Sequence, residues 1–188
     1  QLKFLPLINT PISDVSVLKN FSQLEYLFLN SVLVNDLSAL KDLKNLQILS
    51  LDNVPVSDVS VLKDLQQLTS LSLNNTQVSD VSVLRDLSQL QWLTLNGTPV
   101  SDMSALMGLK RLRELHLNNT KVSDISALKD LSNLRRLHLN NTQVRDVSVL
   151  SNLLQLSELH INDTLVTEES IKILKDANKD LKIYFRDL

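Results

Sequence analysis

A 22-residue period runs through the chain and limits its possible folds more than any other feature. LTSLSLNNT (Leu68 to Thr76), LQWLTLNGT (Leu90 to Thr98), LRELHLNNT (Leu112 to Thr120) and LRRLHLNNT (Leu134 to Thr142) each begin 22 residues after the last. The register extends to Leu2, Leu24, Leu46 and Leu156, so eight copies run without insertion from Leu2 to about Glu169. Within a copy, leucine or isoleucine holds positions one, four and six, as at Leu90, Leu93 and Leu95, and a β-branched residue holds position eleven, as at Val100. The L-x-L alternation has period two and predicts a short strand. The D-x-S-x-L-x-x-L stretch has three-residue spacing and predicts a 3₁₀ or short helical turn. One strand and one turn cannot bury these side chains alone. Stacked copies bury them continuously and align the strands as a parallel sheet.

Composition removes several function classes. The 188 residues are 43% apolar, enough for a core, and carry a formal charge of −2, which offers nucleic acid no basic excess. Cysteine is absent, so there is no disulfide and no thiolate metal site. No apolar run approaches the ~18 residues of a membrane span. Gln1 opens no signal peptide and is no natural first residue, so the sequence reads as an excised or processed piece. Cytoplasmic and secreted or cell-surface settings both fit.

The pattern L-x-x-L-x-L-x-x-T-x-V-x-D-x-S-x-L-x-x-L resembles the short, 22-residue class of leucine-rich repeats, which includes the bacterial internalins and the phosphatase-regulator type. The resemblance covers essentially the whole chain. It implies an α/β solenoid, a right-handed horseshoe with strands on the concave face and 3₁₀ turns on the convex face. It also implies a binding protein, usually for other proteins, that uses concave-face side chains. The chain departs from the family at position nine, where threonine (Thr10, Thr76, Thr98, Thr120, Thr142, Thr164) or valine (Val32, Val54) replaces asparagine. A threonine hydroxyl is expected to bond a neighbouring loop's backbone; the valines cannot.

Aspartate recurs two residues before a serine, from Asp14 to Asp146. One carboxylate per turn lacks the clustered oxygens calcium needs, so capping of the convex turn is expected. Pairs such as Lys63-Asp64 and Arg85-Asp86 read as a solvated outer face. After the eighth copy, EESIKILKD reads as an amphipathic helix and LKIYF as a final strand. The expected organisation is therefore an eight-copy solenoid over 1–169 and a capping helix and strand of the same domain over 170–188. No comparable cap precedes Leu2, so a further repeat or domain is expected upstream.

Positions two, three, five, seven and eight are expected to leave the core and face the concave side. They divide into three zones. The first is apolar: Phe4, Pro6, Ile8, Tyr26, Phe28 and Ile48, with Trp92 further along among Ser70, Ser72, Thr94 and Asn96. It reads as a contact surface, or, for Phe4 and its neighbours, as packing for an N-terminal cap. The second is a stripe at position seven, Asn30, Asp52, Asn74, Asn96, Asn118, Asn140 and Asn162, whose carboxamides either bond each other along the sheet or meet a ligand. The third holds all three histidines, His116, His138 and His160, at position five of consecutive copies, with Arg113, Arg135 and Arg136 beside them and Glu114 and Glu158 interleaved. Strands ~4.8 Å apart put the outer rings ~9.6 Å apart, too far to share one ion with the middle ring. A polar contact patch is therefore expected in place of a metal site. Stacked rings resist joint protonation, so binding there is expected to change below pH ~6.5.

An open sheet face has no pocket to exclude water, and no phosphate loop or nucleophile motif occurs, so no catalysis and no cofactor are expected. The reading is a monomeric protein-binding module that takes its partner on the concave face. The alternatives are a glycan or cell-wall binder, with Trp92 stacking on sugar, and a surface adhesin for a host receptor.

Overall fold

The computed structural model describes residues 2–185; Gln1 and the last three residues of the expected 170–188 capping segment lie outside it. Nine three-residue strands form one parallel sheet in sequence order: β1 (Phe4–Pro6), β2 (Tyr26–Phe28), β3 (Ile48–Ser50), β4 (Ser70–Ser72), β5 (Trp92–Thr94), β6 (Glu114–His116), β7 (Arg136–His138), β8 (Glu158–His160) and β9 (Lys182–Tyr184). From β1 to β8 each residue pairs with the one 22 places on, so the sequence period becomes the register of the sheet.

The leucine at position four is buried on every strand from β2 to β8, while the residues on either side of it, positions three and five, turn away from the core. Ser50 is the exception and is itself buried. Positions one and six add further leucines, and the result is a single hydrophobic cluster from Val15 to Leu181. Each fully buried leucine contributes about 1.5–3 kcal/mol. Because neighbouring copies share their leucines, that stabilisation exists only in the stack.

Behind the sheet, seven 3₁₀ turns occupy the convex side, the first at Ser16–Asn20 and the last at Ser148–Asn152. Each begins where aspartate Oδ1 accepts the backbone N–H of the serine two residues on, at 2.7 Å for Asp14 and 2.8 Å for Asp36, Asp58, Asp80, Asp102, Asp124 and Asp146. This bond holds the carboxyl of Asp80 below its ordinary value, as it does for Asp14, Asp36, Asp58 and Asp124. At position nine the threonine hydroxyl bonds within its own copy, Thr98 Oγ1 to the Leu95 carbonyl at 2.6 Å, and not to a neighbouring loop as the sequence suggested. Position eight is a second difference. It is the turn that ends each strand, with positive φ at Asn9, Ser31, Asn53, Asn75, Gly97, Asn119, Asn141 and Asp163, so its side chains leave the sheet face.

After the eighth copy an α-helix replaces the 3₁₀ turn. α1 (Glu168–Ala177) starts at Thr167, whose side chain accepts from Ser170 N, and buries Ile171 and Leu174. The longer element shifts the last pairing to 24 residues, Glu158 with Lys182 and His160 with Tyr184. Among the described residues no helix is long and apolar enough to cross a membrane.

Candidate functional site

The 22-residue register turns positions three and five into two continuous rows across the concave face. Row three runs Phe4, Tyr26, Ile48, Ser70, Trp92, Glu114, Arg136, Glu158, Lys182. Row five runs Pro6, Phe28, Ser50, Ser72, Thr94, His116, His138, His160, Tyr184.

The first three strands carry the apolar zone. The Phe4 and Phe28 rings lie 5.7 Å apart, Tyr26 and Ile48 are half-buried beside them, and Phe4 is 54% exposed. Trp92 stands apart, 39% exposed, between Ser70 and Glu114 in its row. The strands between are lined by small hydroxyls tied to one carboxylate: Asp52 Oδ1 accepts from Ser72 Oγ and from Asn74 N at 2.8 Å, and Ser72 Oγ meets Thr94 Oγ1 at 2.6 Å.

The asparagine stripe at position seven is a backbone device. Oδ1 of Asn74, Asn96, Asn118 and Asn140 each accepts the N–H of the position-seven residue on the next copy, at 2.8–2.9 Å. Carboxamide-to-carboxamide bonds, one of the two alternatives for this stripe, occur one residue later, Asn75 Nδ2 to Asn53 Oδ1 at 3.0 Å and Asn141 Nδ2 to Asn119 Oδ1 at 2.7 Å. Asn30 is outside the pattern, its Oδ1 buried with no hydrogen-bond partner among the described residues.

The histidines form the expected column, with centroids 4.1 Å apart for both His116–His138 and His138–His160. Tyr184 of β9 extends it at 4.3 Å, nearly parallel to His160. The sequence reading missed Tyr184 because the 24-residue offset takes it out of the repeat frame. Burial, together with His116 and His160 on either side, pushes the His138 imidazole down to about 4. His160 is also lowered, by burial first, with Glu158 opposing. Both shifts favour the neutral imidazole of His138 and His160.

Glu114 ties the column to row three. Its Oε1 accepts from His116 Nε2 at 2.7 Å, and its Oε2 accepts from Arg136 Nε at 2.8 Å and from Arg136 Nη2. A carboxylate can only accept, so the His116 proton sits on Nε2. Burial opposes ionisation of Glu114, but the bonds from Arg136 and His116 outweigh it and hold its carboxyl below the ordinary value. Arg136 in turn is raised by Glu114. Arg113 and Arg135 do not join this network. They precede β6 and β7 at the rim of the face and are exposed. Among the described residues no three His, Cys, Asp or Glu side chains are grouped to hold a metal ion. One recess of about 420 Å³, lined by Asp36, Lys41, Asp58 and Lys63, lies along the convex turns away from every candidate residue.

One parallel strand and one convex turn per 22 residues define a leucine-rich-repeat solenoid, and the comparisons agree. A leucine-rich-repeat family model, two copies long, matches residues 88–130. The chain is similar to internalin C2 of Listeria monocytogenes, at 30% identity over 97% of this chain and 80% of that one, with a TM-score of 0.93. Internalin F of the same organism follows at 28% identity and a TM-score of 0.79, and the chain spans 62% of its length. A leucine-rich-repeat protein of Leptospira interrogans shares the fold at 24% identity and a TM-score of 0.91, with 49% of its length spanned. No curated protein sequence matches significantly. The chain belongs to the bacterial leucine-rich-repeat proteins of the internalin type. Leucine-rich-repeat domains commonly serve as protein-interaction modules.

Proposed function

We propose that this chain is a non-catalytic interaction module that holds a protein partner on its concave sheet face. The observation that carries the reading is the placement of Phe4, Tyr26, Phe28, Ile48 and Trp92 in rows three and five, where the core makes no demand for an apolar side chain. Exposed aromatic groups on a rigid platform are the residues that most often anchor a partner. Trp92 is the sharpest case, since its row neighbours Ser70 and Glu114 give it nothing apolar to pack on. A glycan would need the position-seven asparagines as hydrogen-bonding partners, and four of their Oδ1 atoms already hold the next strand. The face is also open, whereas a reaction centre needs a site that excludes water.

The test is capture from the native source by the immobilised chain and by a Tyr26→Ser, Phe28→Ser, Trp92→Ser variant, with circular dichroism confirming that both are folded. A protein retained by the first and lost from the second is the expected result. A protein retained equally by both would place the site elsewhere, and release by soluble sugar would make the ligand a glycan.

A further inference from the structure

Arg113 and Arg135 are neighbours at the entries of consecutive strands, joined by the bond from Arg135 N to the Arg113 carbonyl at 2.8 Å. Both side chains are exposed, and neither has an ion-pair partner among the described residues. Glu114, the carboxylate that follows Arg113 in sequence, is taken by Arg136 and His116. The adjoining residues at position two are Gln91 and Ser157, both uncharged. Two like charges side by side on paired strands repel each other.

The imbalance extends across this end of the face. The residues of strands β6 to β9 and the one residue before each carry four cations, Arg113, Arg135, Arg136 and Lys182, against two carboxylates, Glu114 and Glu158, with Asp163 in the turn beyond β8. The whole chain nevertheless has a formal charge of −2. The positive excess is therefore local, and Trp92 lies at its boundary, paired in row three with Glu114.

We propose that the partner presents an acidic segment to this end of the concave face, with its carboxylates seated on Arg113 and Arg135 and an adjoining apolar side chain against Trp92. This rests on the concave-face reading and adds the partner's chemistry to it. Guanidinium and carboxylate meet through two parallel N–H···O bonds, and a planar fork at the entry of each of two adjacent strands suits consecutive or alternate acidic residues. Seating them removes the repulsion between the two arginines and leaves the Glu114–Arg136 pair intact.

The probe is a blocked peptide, Leu-Leu-Glu-Glu-Glu-Glu, titrated against the chain while the emission of its one tryptophan, Trp92, is followed. Controls replace the glutamates with glutamine or lysine. The acidic peptide is expected to bind about tenfold or more tightly than the glutamine peptide, to weaken as salt is raised, and to lose this preference in the Arg113→Ser, Arg135→Ser variant. Equal binding of the acidic and glutamine peptides, or a preference that survives in the variant, overturns the acidic partner. Neither result touches the concave-face reading, which falls if the Tyr26, Phe28 and Trp92 variant still captures its protein.

Discussion

The asparagine at position seven sits on the sheet face, yet from Asn74 to Asn140 its side-chain oxygen holds the backbone of the next strand. Replacing Asn96 with alanine leaves the Asn118 N–H without its acceptor, a loss of about 1–3 kcal/mol. Asn30→Ala is expected to cost much less, since the Asn30 Oδ1 has no partner to lose. Urea unfolding of the two variants decides it: equal losses contradict the assignment. His138 gives a second check. Its folded value of about 4 lies below the ordinary 6.5, so the unfolded chain takes up that proton first as the medium is acidified. Stability should fall between pH 6.5 and about 4 from this group and stay level above that window. Glu114, depressed by Arg136 and His116 against its burial, adds a loss at the acidic end. An NMR titration of His138 with a midpoint at 6 or above would contradict the packing of the column.

At the scale of single elements, the turn after each strand was the least legible part of the sequence. Position eight needs a left-handed residue, and the asparagines, the glycine and Asp163 found there carried that signal. Carrying the concave face on from position seven to position eight hid it. Gly97, at φ +68°, makes the point testable: any Cβ there meets the movable end of the Asn75 side chain, so valine and asparagine differ in how they tolerate the backbone. Gly97→Val should cost about 1–3 kcal/mol, since a β-branched residue is strained at positive φ. Gly97→Asn should cost less than about 1 kcal/mol, because asparagine tolerates that conformation and five other copies already use it. Comparable losses for the two would rule out the left-handed turn as the cause. Other elements were plain from spacing alone. The seven capped 3₁₀ turns follow from aspartate two residues before serine, and α1 from acidic residues ahead of Ile171 and Leu174.

For the whole molecule, the period fixes the sheet, and the sheet turns scattered sequence positions into rows. Row three brings Phe4, Tyr26, Ile48 and Trp92 into line although 22 residues or more separate each from the next. Because the core draws on positions one, four, six, nine, eleven and the convex turn, the face can change its chemistry from apolar to hydroxylated to charged without disturbing the fold. That separation made the rows readable from sequence. It left the Glu114–Arg136–His116 network and the contribution of Tyr184 unreadable, since both depend on side-chain reach and on the altered offset of β9. The central claim, that the partner sits on the concave face, is tested most directly by acrylamide quenching of Trp92, the one tryptophan in the chain. With the captured partner at saturation, quenching should fall toward that of a buried indole. Quenching unchanged by a saturating partner would show that Trp92 remains in solvent and that the partner binds another face.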